Sequence, residues 1–402
     1  MTDPTPIALA FSGGLDTSFC VPYLAERHRR PIVTVTVDTG GLDNAGRTDL
    51  EARSRALGAA RHLTVDARRA FFDDVLRYLV FGNVRRGGLY PLSVGAERSI
   101  QAREVARVAH DLGCSAVAHG STGAGNDQVR FEVALRALAP ELEVLAPVRD
   151  DPQTRAEEVA FLEARGLPVP PHGAAYSVNR GLWGATIGGR ETLTSDGPLP
   201  ESEWRLTRGA FDAPREPERH ALGFERGAPV GWDGAALDPV SLIEAVETAA
   251  APFAIGRGIH LGETILGLKG RVAFEAPAAE VLLTAHRELE KLVLTARQQK
   301  LKDSVAVVYG ELVHEGQWTE PAARDAEALL AASQARVTGE VRLLFRPGAL
   351  FVEGVASDHS LMKASRGRYG ETTGEWSAED AAGFCRIAAL PGLLHARAGG
   401  GS

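Results

Sequence analysis

Short apolar stretches alternate with segments of helical length over the first 150 residues. The stretches are rich in apolar or β-branched side chains, which predicts strands at residues 7–11, 32–37, 115–118 and 142–147. Between them we predict helices at residues 18–29, 49–57 and 98–112. This alternation is typical of a parallel sheet with helices on both faces, which binds its ligand at the carboxyl ends of the strands.

The pattern changes after residue 167. Residues 167–173 contain three prolines in four positions, which cannot continue a helix, so they predict a domain boundary. Residues 190–235 are rich in Gly and Pro, and we predict that they are irregular. Later patterns predict helices at residues 278–297 and 320–334 and strands at residues 339–345 and 349–355.

These patterns predict an α/β protein of two domains. The first is a parallel-sheet, Rossmann-like nucleotide-binding domain, and the second is an α+β domain. We place them at residues 1–168 and 169–365, followed by a C-terminal tail at residues 366–402.

Composition narrows the class of protein. The 402 residues include 44 Lys and Arg against 52 Asp and Glu, a net charge of −8, which argues against broad nucleic-acid binding. No apolar run approaches membrane-spanning length and no signal peptide is seen, so we expect a cytoplasmic protein without membrane contact. The three cysteines lack metal-site or disulfide spacing, and we expect no protein-held structural metal.

A glycine-containing turn follows the first predicted strand. Residues 11–18 read Phe-Ser-Gly-Gly-Leu-Asp-Thr-Ser, and their backbone N–H groups can converge on one anion at a helix N-terminus. Glycine allows positive φ angles and a close approach of backbone to phosphate. The segment lacks the Lys-Ser/Thr pair of the common P-loop, and it predicts a pyrophosphate-binding loop for ATP.

A second polar loop follows the strand at residues 115–118. Residues 119–132 supply three glycines, a hydroxyl, an amide, a carboxylate and a guanidinium. Asp127 can accept a hydrogen bond from an ammonium group, while Arg130 and Asn126 can donate to a carboxylate or ureido oxygen. We therefore predict that this loop holds a zwitterion beside the phosphate loop.

The two loops together resemble those of the argininosuccinate synthase family. Further similar segments are residues 81–83, 90–92, 176–184, 268–271, 275–277, 285–290 and 338–342. The resemblance weakens after about residue 356. It implies an N-type ATP pyrophosphatase domain followed by a synthetase and multimerisation domain, usually assembled as a homotetramer.

The resemblance also implies roles for individual residues. Those implied to bind ATP are Ala10, Phe11, Ser12, Gly13, Gly14, Leu15, Asp16, Thr17, Ser18, Val37 and Gly120. Those implied to bind aspartate are Thr122, Asn126 and Asp127. Those implied to surround the acceptor are Tyr90, Asn126, Arg130, Ser177, Thr186, Glu263 and Phe274. Asp16 and Arg130 are the expected catalytic residues.

The chemistry implied by the resemblance is an ATP-dependent ligation. The ureido oxygen of citrulline attacks the α-phosphate of ATP, pyrophosphate leaves, and the aspartate amine then displaces AMP. Magnesium is expected with ATP because it neutralises the triphosphate charge. The expected partners are therefore small molecules, and no nucleic acid.

Several positions in the acceptor pocket depart from the family pattern. Val94 and Gly95 stand where the family has hydroxyl side chains, and Phe274 stands where it has Tyr. A pocket with fewer hydroxyls favours citrulline less strongly, since each missing donor costs about 1–3 kcal/mol. Two alternatives therefore stay open: a paralogue that uses another ureido or amide acceptor, and a tRNA-modifying ATP pyrophosphatase.

Overall fold

The computed structural model describes residues 5–170, 176–365 and 374–399. The strands in these ranges are β1 (Ile7–Ala10), β2 (Ile32–Asp38), β3 (Arg61–Asp66), β4 (Ala116–Ala118), β5 (Glu143–Leu145), β6 (Tyr176–Gly181), β7 (Gly184–Gly189), β8 (Glu218–Glu225), β9 (Ala228–Trp232), β10 (Ala235–Ala236), β11 (Arg257–Glu263), β12 (Lys269–Glu275), β13 (Gly339–Arg346) and β14 (Ala349–Ala356).

The α-helices in the same ranges are α1 (Leu15–His28), α2 (Asn44–Ala56), α3 (Arg68–Phe71), α4 (Arg77–Gly82), α5 (Arg98–Asp111), α6 (Asn126–Leu138), α7 (Pro147–Asp150), α8 (Arg155–Glu163), α9 (Pro239–Ala250), α10 (Pro277–Val293), α11 (Ala296–His314), α12 (Pro321–Ser333), α13 (Leu361–Ala364), α14 (Ala378–Ala388) and α15 (Leu390–Arg397). A π-helical turn, Phe72–Leu76, joins α3 to α4.

The first half of the chain forms a parallel five-stranded sheet in the order β3-β2-β1-β4-β5. Its central strand, β1, consists entirely of apolar residues because helices cover both faces. Ile7 and Leu9 pack against α1 on one face, while Ala8 packs toward α5 on the other. The predicted α/β class and parallel sheet are confirmed.

The strand order reverses direction between β1 and β4. The chain proceeds from β1 outward to β2 and β3, then returns to place β4 on the opposite side of β1. The loops after β1 and β4 therefore diverge from the sheet on opposite sides and leave a crevice between them. This crevice is the expected ligand-binding position in an open parallel sheet.

The second half contains two antiparallel sheets, in the orders β11-β12-β7-β6 and β10-β9-β8-β13-β14. The amphipathic helix α10 packs its apolar face against β13, β14 and α9. The single helix predicted at residues 278–297 instead ends at Val293, and Thr295 caps a new helix, α11, by accepting a hydrogen bond from the Gln298 amide. The sequence pattern does not reveal this break, because apolar side chains recur on both sides of it.

The prediction that residues 190–235 are irregular is wrong for its second part. Strands β8 and β9 occupy Glu218–Glu225 and Ala228–Trp232, paired through a tight turn at Arg226 and Gly227. Strand β3 was also not predicted, because Arg61 and His62 interrupt its apolar pattern at the sheet edge. Edge strands and turn-rich hairpins carry weaker hydrophobic patterns than central strands.

The proline-rich segment between the two halves is non-helical over residues 167–170, and its remainder, residues 171–173, lies outside the described residues. Of the predicted tail, residues 366–373 and 400–402 also lie outside them, while residues 374–399 carry α14 and α15. No helix in the described ranges is long and apolar enough to cross a membrane.

Candidate functional site

A cavity of about 800 Å³ opens at the carboxyl end of the parallel sheet. Its walls come from the loops after β1, β2 and β4 and from strands β6, β11 and β12 of the second half. The two halves meet at its edge, where the Leu182 amide donates to the Thr39 carbonyl over 2.9 Å. A Cβ atom at Gly40 would lie 2.4 Å from the Leu182 nitrogen, so this junction requires glycine.

The turn after β1 has the geometry of an anion-binding loop. Gly13 has a φ of +72°, and its carbonyl accepts from the Arg53 guanidinium over 2.6 Å. Helix α1 then begins at Leu15, three residues earlier than predicted, with Gly14 as an N-cap that offers no side-chain acceptor. The first N–H groups of α1 are therefore left to bind a ligand.

The loop after β4 lies directly against this turn. A Cβ atom at Gly120 would lie 2.9 Å from Thr17 Cγ2 and 3.2 Å from the Thr17 nitrogen. The residues of the predicted ATP set that line the cavity are Ala10, Phe11, Ser12, Gly14, Leu15, Asp16, Thr17, Val37 and Gly120. Gly13 shapes the turn from behind, next to Leu50, and Ser18 is buried within α1.

Asp127 is the centre of an ion-pair network at the start of α6. Its Oδ1 accepts from Arg130 Nη1 over 2.8 Å, and its Oδ2 accepts from Arg98 Nε over 3.1 Å. Arg98 is also paired with the buried Glu97 over 3.0 Å, and it donates to Asn179 of β6 over 3.1 Å. This network joins the two halves of the chain across the cavity.

Burial and charge set the protonation of this network. Burial alone would raise the pKa of Asp127, but the guanidinium groups of Arg98 and Arg130 lower it below its ordinary value. Burial raises the pKa of Glu97 to about 7, against the opposing effects of Arg98 and a hydrogen bond from Thr39. Asp127 is therefore ionised at neutral pH, whereas Glu97 gains or loses its proton close to neutral pH.

The predicted acceptor residues gather at the end of the cavity formed by the second half. Those that line it are Tyr90, Asn126, Arg130, Ser177, Thr186 and Glu263, and the predicted aspartate-binding Thr122 and Asp127 line it as well. Phe274 does not line the cavity: it is buried on β12, opposite Thr186, and packs on Tyr90 with ring centroids 5.2 Å apart. Glu263 lies at the rim, where it accepts from Lys269 over 2.7 Å.

Asn126 also connects the two halves. Its Oδ1 accepts from the Ile265 amide over 2.8 Å, in the turn between β11 and β12. The turn that carries Glu263 is thereby positioned over the loop that carries Asp127. Residues about 140 positions apart in sequence form one wall of the cavity.

Further polar residues that were not selected from the sequence also line the cavity, among them Arg86, Glu97, Arg98, His260 and His314. The sequence feature that could have identified Glu97 and Arg98 is a charged pair at the start of a helix, next to the predicted acceptor segment. His260 lies in a hairpin and His314 at the end of a helix. An isolated histidine at such a position does not indicate a binding site in the sequence. In the part of the chain that the structure describes, no three His, Cys, Asp or Glu side chains are grouped as a metal site.

Comparison with known proteins assigns the whole chain to one family. Residues 6–168 match the model of the arginosuccinate synthase N-terminal HUP domain, and residues 176–395 match that of the arginosuccinate synthase C-terminal domain. The argininosuccinate synthase of Xanthomonas campestris pv. campestris is 40% identical over 396 residues, covering 97% of this chain and 98% of its own.

Argininosuccinate synthases of other organisms also match nearly the full length of this chain. The argininosuccinate synthase of Methanocaldococcus jannaschii is 36% identical over 387 residues, covering 96% of this chain and 97% of its own. That of Synechocystis sp. is 36% identical over 390 residues, covering 96% of each chain. With both family models matched and the two loops opening into one cavity, the chain belongs to the argininosuccinate synthase family of ATP-dependent ligases.

Proposed function

We propose that this protein joins citrulline to aspartate, forming argininosuccinate while ATP is converted to AMP and pyrophosphate. One observation carries the proposal: the phosphate loop, the Asp127 network and the acceptor residues face a single cavity. The names of the relatives support citrulline over another ureido or amide acceptor, and over a tRNA substrate.

In the first step the ureido oxygen of citrulline forms a bond to the α-phosphorus of ATP, and pyrophosphate leaves. The free N–H groups at the start of α1 hold phosphate oxygens, and the N-terminal end of the helix dipole offsets their charge. The protein contributes mainly position and electrostatic stabilisation, because phosphoryl transfer chemistry needs little else from the side chains.

The residues beside the phosphate loop fit a magnesium ion bound with ATP. Asp16 lines the cavity at the start of α1, and burial together with the charge of Asp16 raises the pKa of Glu158 on α8 to about 7. Both carboxylate oxygens of Glu158 are buried without a hydrogen-bond partner among the described residues. Carboxylate oxygens are ligands that Mg²⁺ prefers, so Asp16 would hold the ion, which would neutralise the departing pyrophosphate.

In the second step the aspartate ammonium group releases a proton to solvent, the neutral amine attacks the ureido carbon, and AMP leaves with the oxygen. We assign the aspartate substrate to Thr122, Asn126 and Asp127. Each Asp127 oxygen already accepts one hydrogen bond from an arginine and retains a lone pair for the substrate ammonium group. Arg130 stabilises negative charge on the neighbouring carboxylate and phosphate groups.

Product analysis tests this proposal. Purified protein with ATP, aspartate and citrulline is expected to form argininosuccinate and pyrophosphate in equal amounts, and omission of either amino acid abolishes argininosuccinate. Asp16→Ala is expected to lower kcat by at least 100-fold without unfolding, while Asp49→Ala, an exposed change on α2, leaves kcat unchanged. An Asp16→Ala variant with wild-type turnover would remove the phosphate-loop assignment.

A second test separates the aspartate site from the ATP site. Asp127→Ala removes the acceptor for the ammonium group and is expected to raise KM for aspartate more than 10-fold. The KM for ATP is expected to change far less, because Asp127 lies at the start of α6 rather than in the phosphate loop. Equal increases in both KM values would contradict the assignment.

We also propose the finer features that the resemblance implies. The nucleotide-binding domain comprises residues 1–168, the synthetase and multimerisation domain residues 169–365, and the tail residues 366–402. The protein acts in the cytoplasm as a homotetramer. The exposed apolar side chains of α11, α14 and α15 support an assembly of this kind.

A further inference from the structure

Arg86 brings a positive charge to the acceptor end of the cavity, where Lys269 and, more weakly, Arg86 lower the pKa of the Glu263 carboxyl. It lines the cavity, and its Nη2 donates to the Glu263 carbonyl over 2.9 Å. Its guanidinium forms no salt bridge with any residue in the described ranges. Arg130 is matched by Asp127, and Arg98 by Asp127 and Glu97. Arg271, which also lines the cavity, instead donates to three backbone carbonyls between residues 191 and 197. A guanidinium placed as that of Arg86 attracts an anionic ligand.

His314 adds an unused donor next to this charge. Its side chain lines the cavity and is 5% exposed. Because Arg130 Nη2 can only donate, its 3.1 Å contact with His314 Nδ1 makes that nitrogen the acceptor and places the imidazole hydrogen on Nε2. That Nε2 is buried and has no hydrogen-bond partner among the described residues. Burial, Arg130 and Arg86 lower the pKa of His314 to about 3, so the ring is neutral.

His260 supplies a second ring nitrogen without a hydrogen-bond partner among the described residues, which can donate in the tautomer that carries its hydrogen on Nε2. It lies on β11, lines the cavity, and stacks on Tyr90 with ring centroids 5.6 Å apart. Its Nε2 is buried and has no partner among the residues that the structure describes. Burial and the charge of Arg86 lower its pKa, which places Arg86 and His260 in one electrostatic environment.

Arg130 cannot bind the carboxylate of an acceptor by itself, because its N–H groups already serve other partners. Its Nε donates to the His314 carbonyl over 2.7 Å, its Nη1 to Asp127 and its Nη2 to His314. A Cβ atom at Gly95 would lie 3.1 Å from the Arg130 guanidinium carbon, so the absence of a side chain at Gly95 allows this position. Val94 and Gly95 offer no side-chain hydroxyl to an acceptor carboxylate, and its binding groups must come from elsewhere.

We propose that Arg86, His260 and His314 form a subsite for the α-carboxylate of the acceptor amino acid. This inference rests on the proposed function, because it assigns one group of the acceptor at that same site. Arg86 supplies the charge, and the two imidazole N–H groups supply neutral hydrogen bonds. In this protein Arg86, His260 and His314 thereby replace the hydroxyl side chains of the family pattern, which are absent at Val94 and Gly95.

The test compares citrulline with citrulline amide, in which the α-carboxylate is a neutral carboxamide. The wild type is expected to prefer citrulline in kcat/KM. Arg86→Gln is expected to raise KM for citrulline about 10- to 100-fold while KM for ATP and aspartate and kcat stay near wild type. With citrulline amide the same substitution is expected to change KM less than threefold, so the preference nearly disappears.

Two further variants complete the experiment. Arg85→Gln is the matched control, since Arg85 pairs with Glu280 of α10 over 3.1 Å and does not line the cavity; it should keep the wild-type preference. His260→Phe retains an aromatic ring against Tyr90 but removes the N–H, and should raise KM for citrulline about 3- to 10-fold. Because His260→Phe tests the subsite separately, misfolding of Arg86→Gln would not block the test.

The possible outcomes distinguish the inference from the proposed function. If the wild type forms argininosuccinate and Arg86→Gln or His260→Phe discriminates between citrulline and its amide as the wild type does, the subsite is wrong and the function stands. If the wild type forms no argininosuccinate from citrulline, the proposed function is wrong and the subsite assignment with it. If only Arg86→Gln and His260→Phe lose the preference for citrulline over citrulline amide, the result supports both the subsite and the proposed function.

Discussion

Arg98 shows how much one side chain organises in this protein. Its guanidinium donates to Asp127, Glu97 and Asn179, which lie on three different elements. The planar fork of an arginine can serve several acceptors at fixed angles, which a lysine cannot. The sequence places Arg98 at a helix start, but only the fold brings Asn179 to it from 81 positions away.

A pH prediction concerns Glu97. Its pKa is about 7 in the folded protein, against an ordinary value of 4.5, so the folded state binds this proton more tightly than the unfolded state between those pH values. The contribution of Glu97 to stability is therefore fully present below pH 4.5 and is lost as the pH rises through 7. Glu97→Gln, which does not titrate, is expected to flatten this fall.

The measurement is the free energy of unfolding in urea at a series of pH values between 4.5 and 8. Other groups titrate in the same range, so the informative quantity is the difference in slope between the wild type and Glu97→Gln. Glu51→Gln, at an exposed ion pair with Arg55, is the control and should retain the wild-type slope. Identical slopes for all three proteins would contradict the buried-carboxyl assignment.

At the scale of elements, helices and strands could be predicted from the sequence where apolar periodicity was strong and capping residues or proline marked the helix ends. Glu320 and Pro321 begin α12 as predicted, and β1 and β2 follow their buried apolar runs. The α10–α11 break and the β8–β9 hairpin were missed because the connection interrupts the pattern by only two residues in each case. For the site, local motifs identified both loops, whereas Arg86, His260 and His314 acquire significance only through contacts distant in sequence.

A buried ion pair connects α10 to α11 and α4. Lys302 Nζ lies 3.0 Å from Glu290 Oε2 and donates to the Phe81 carbonyl over 2.8 Å, and both charged side chains are 0% exposed. Lys302→Met leaves the buried Glu290 carboxylate with only the more distant Arg287, 3.8 Å away, and is expected to destabilise the protein by about 3–5 kcal/mol. Lys300→Met, on the exposed face of the same helix, should cost less than about 0.5 kcal/mol.

Urea unfolding at neutral pH measures both free energies. If Lys302→Met were as stable as the wild type, methionine packing would have to compensate for the lost ion pair. A Lys302→Met, Glu290→Gln double variant distinguishes these cases, since it removes both charges while the new amide oxygen can still accept from the Asn83 and Gln334 side chains. It is expected to recover most of the loss if the unpaired carboxylate is its cause.

At the scale of the whole molecule, the last two helices expose large apolar side chains. Phe384, Ile387 and Leu394 are 72%, 68% and 59% exposed on α14 and α15. Apolar surface of this kind is typical of a contact between subunits. We expect the full chain to be a tetramer, and Phe384→Asp with Ile387→Asp to shift it toward smaller species.

Light scattering at several protein concentrations measures this shift. Glu379→Gln, a polar change in the first turn of α14, is the control and should leave the assembly intact. A wild-type protein that is monomeric at micromolar concentration would contradict the assembly prediction.

The distribution of the cavity walls along the chain has a consequence for protein synthesis. The phosphate loop and the Asp127 loop are complete once residue 132 has emerged from the ribosome, whereas Ser177, Glu263 and His314 emerge later. We therefore expect a nascent chain in which only the parallel sheet has formed to bind ATP without the wall proposed to hold the acceptor. On this assignment we expect adenylation, and with it the consumption of ATP, to begin only after the helix ending at His314 has docked beside Arg130.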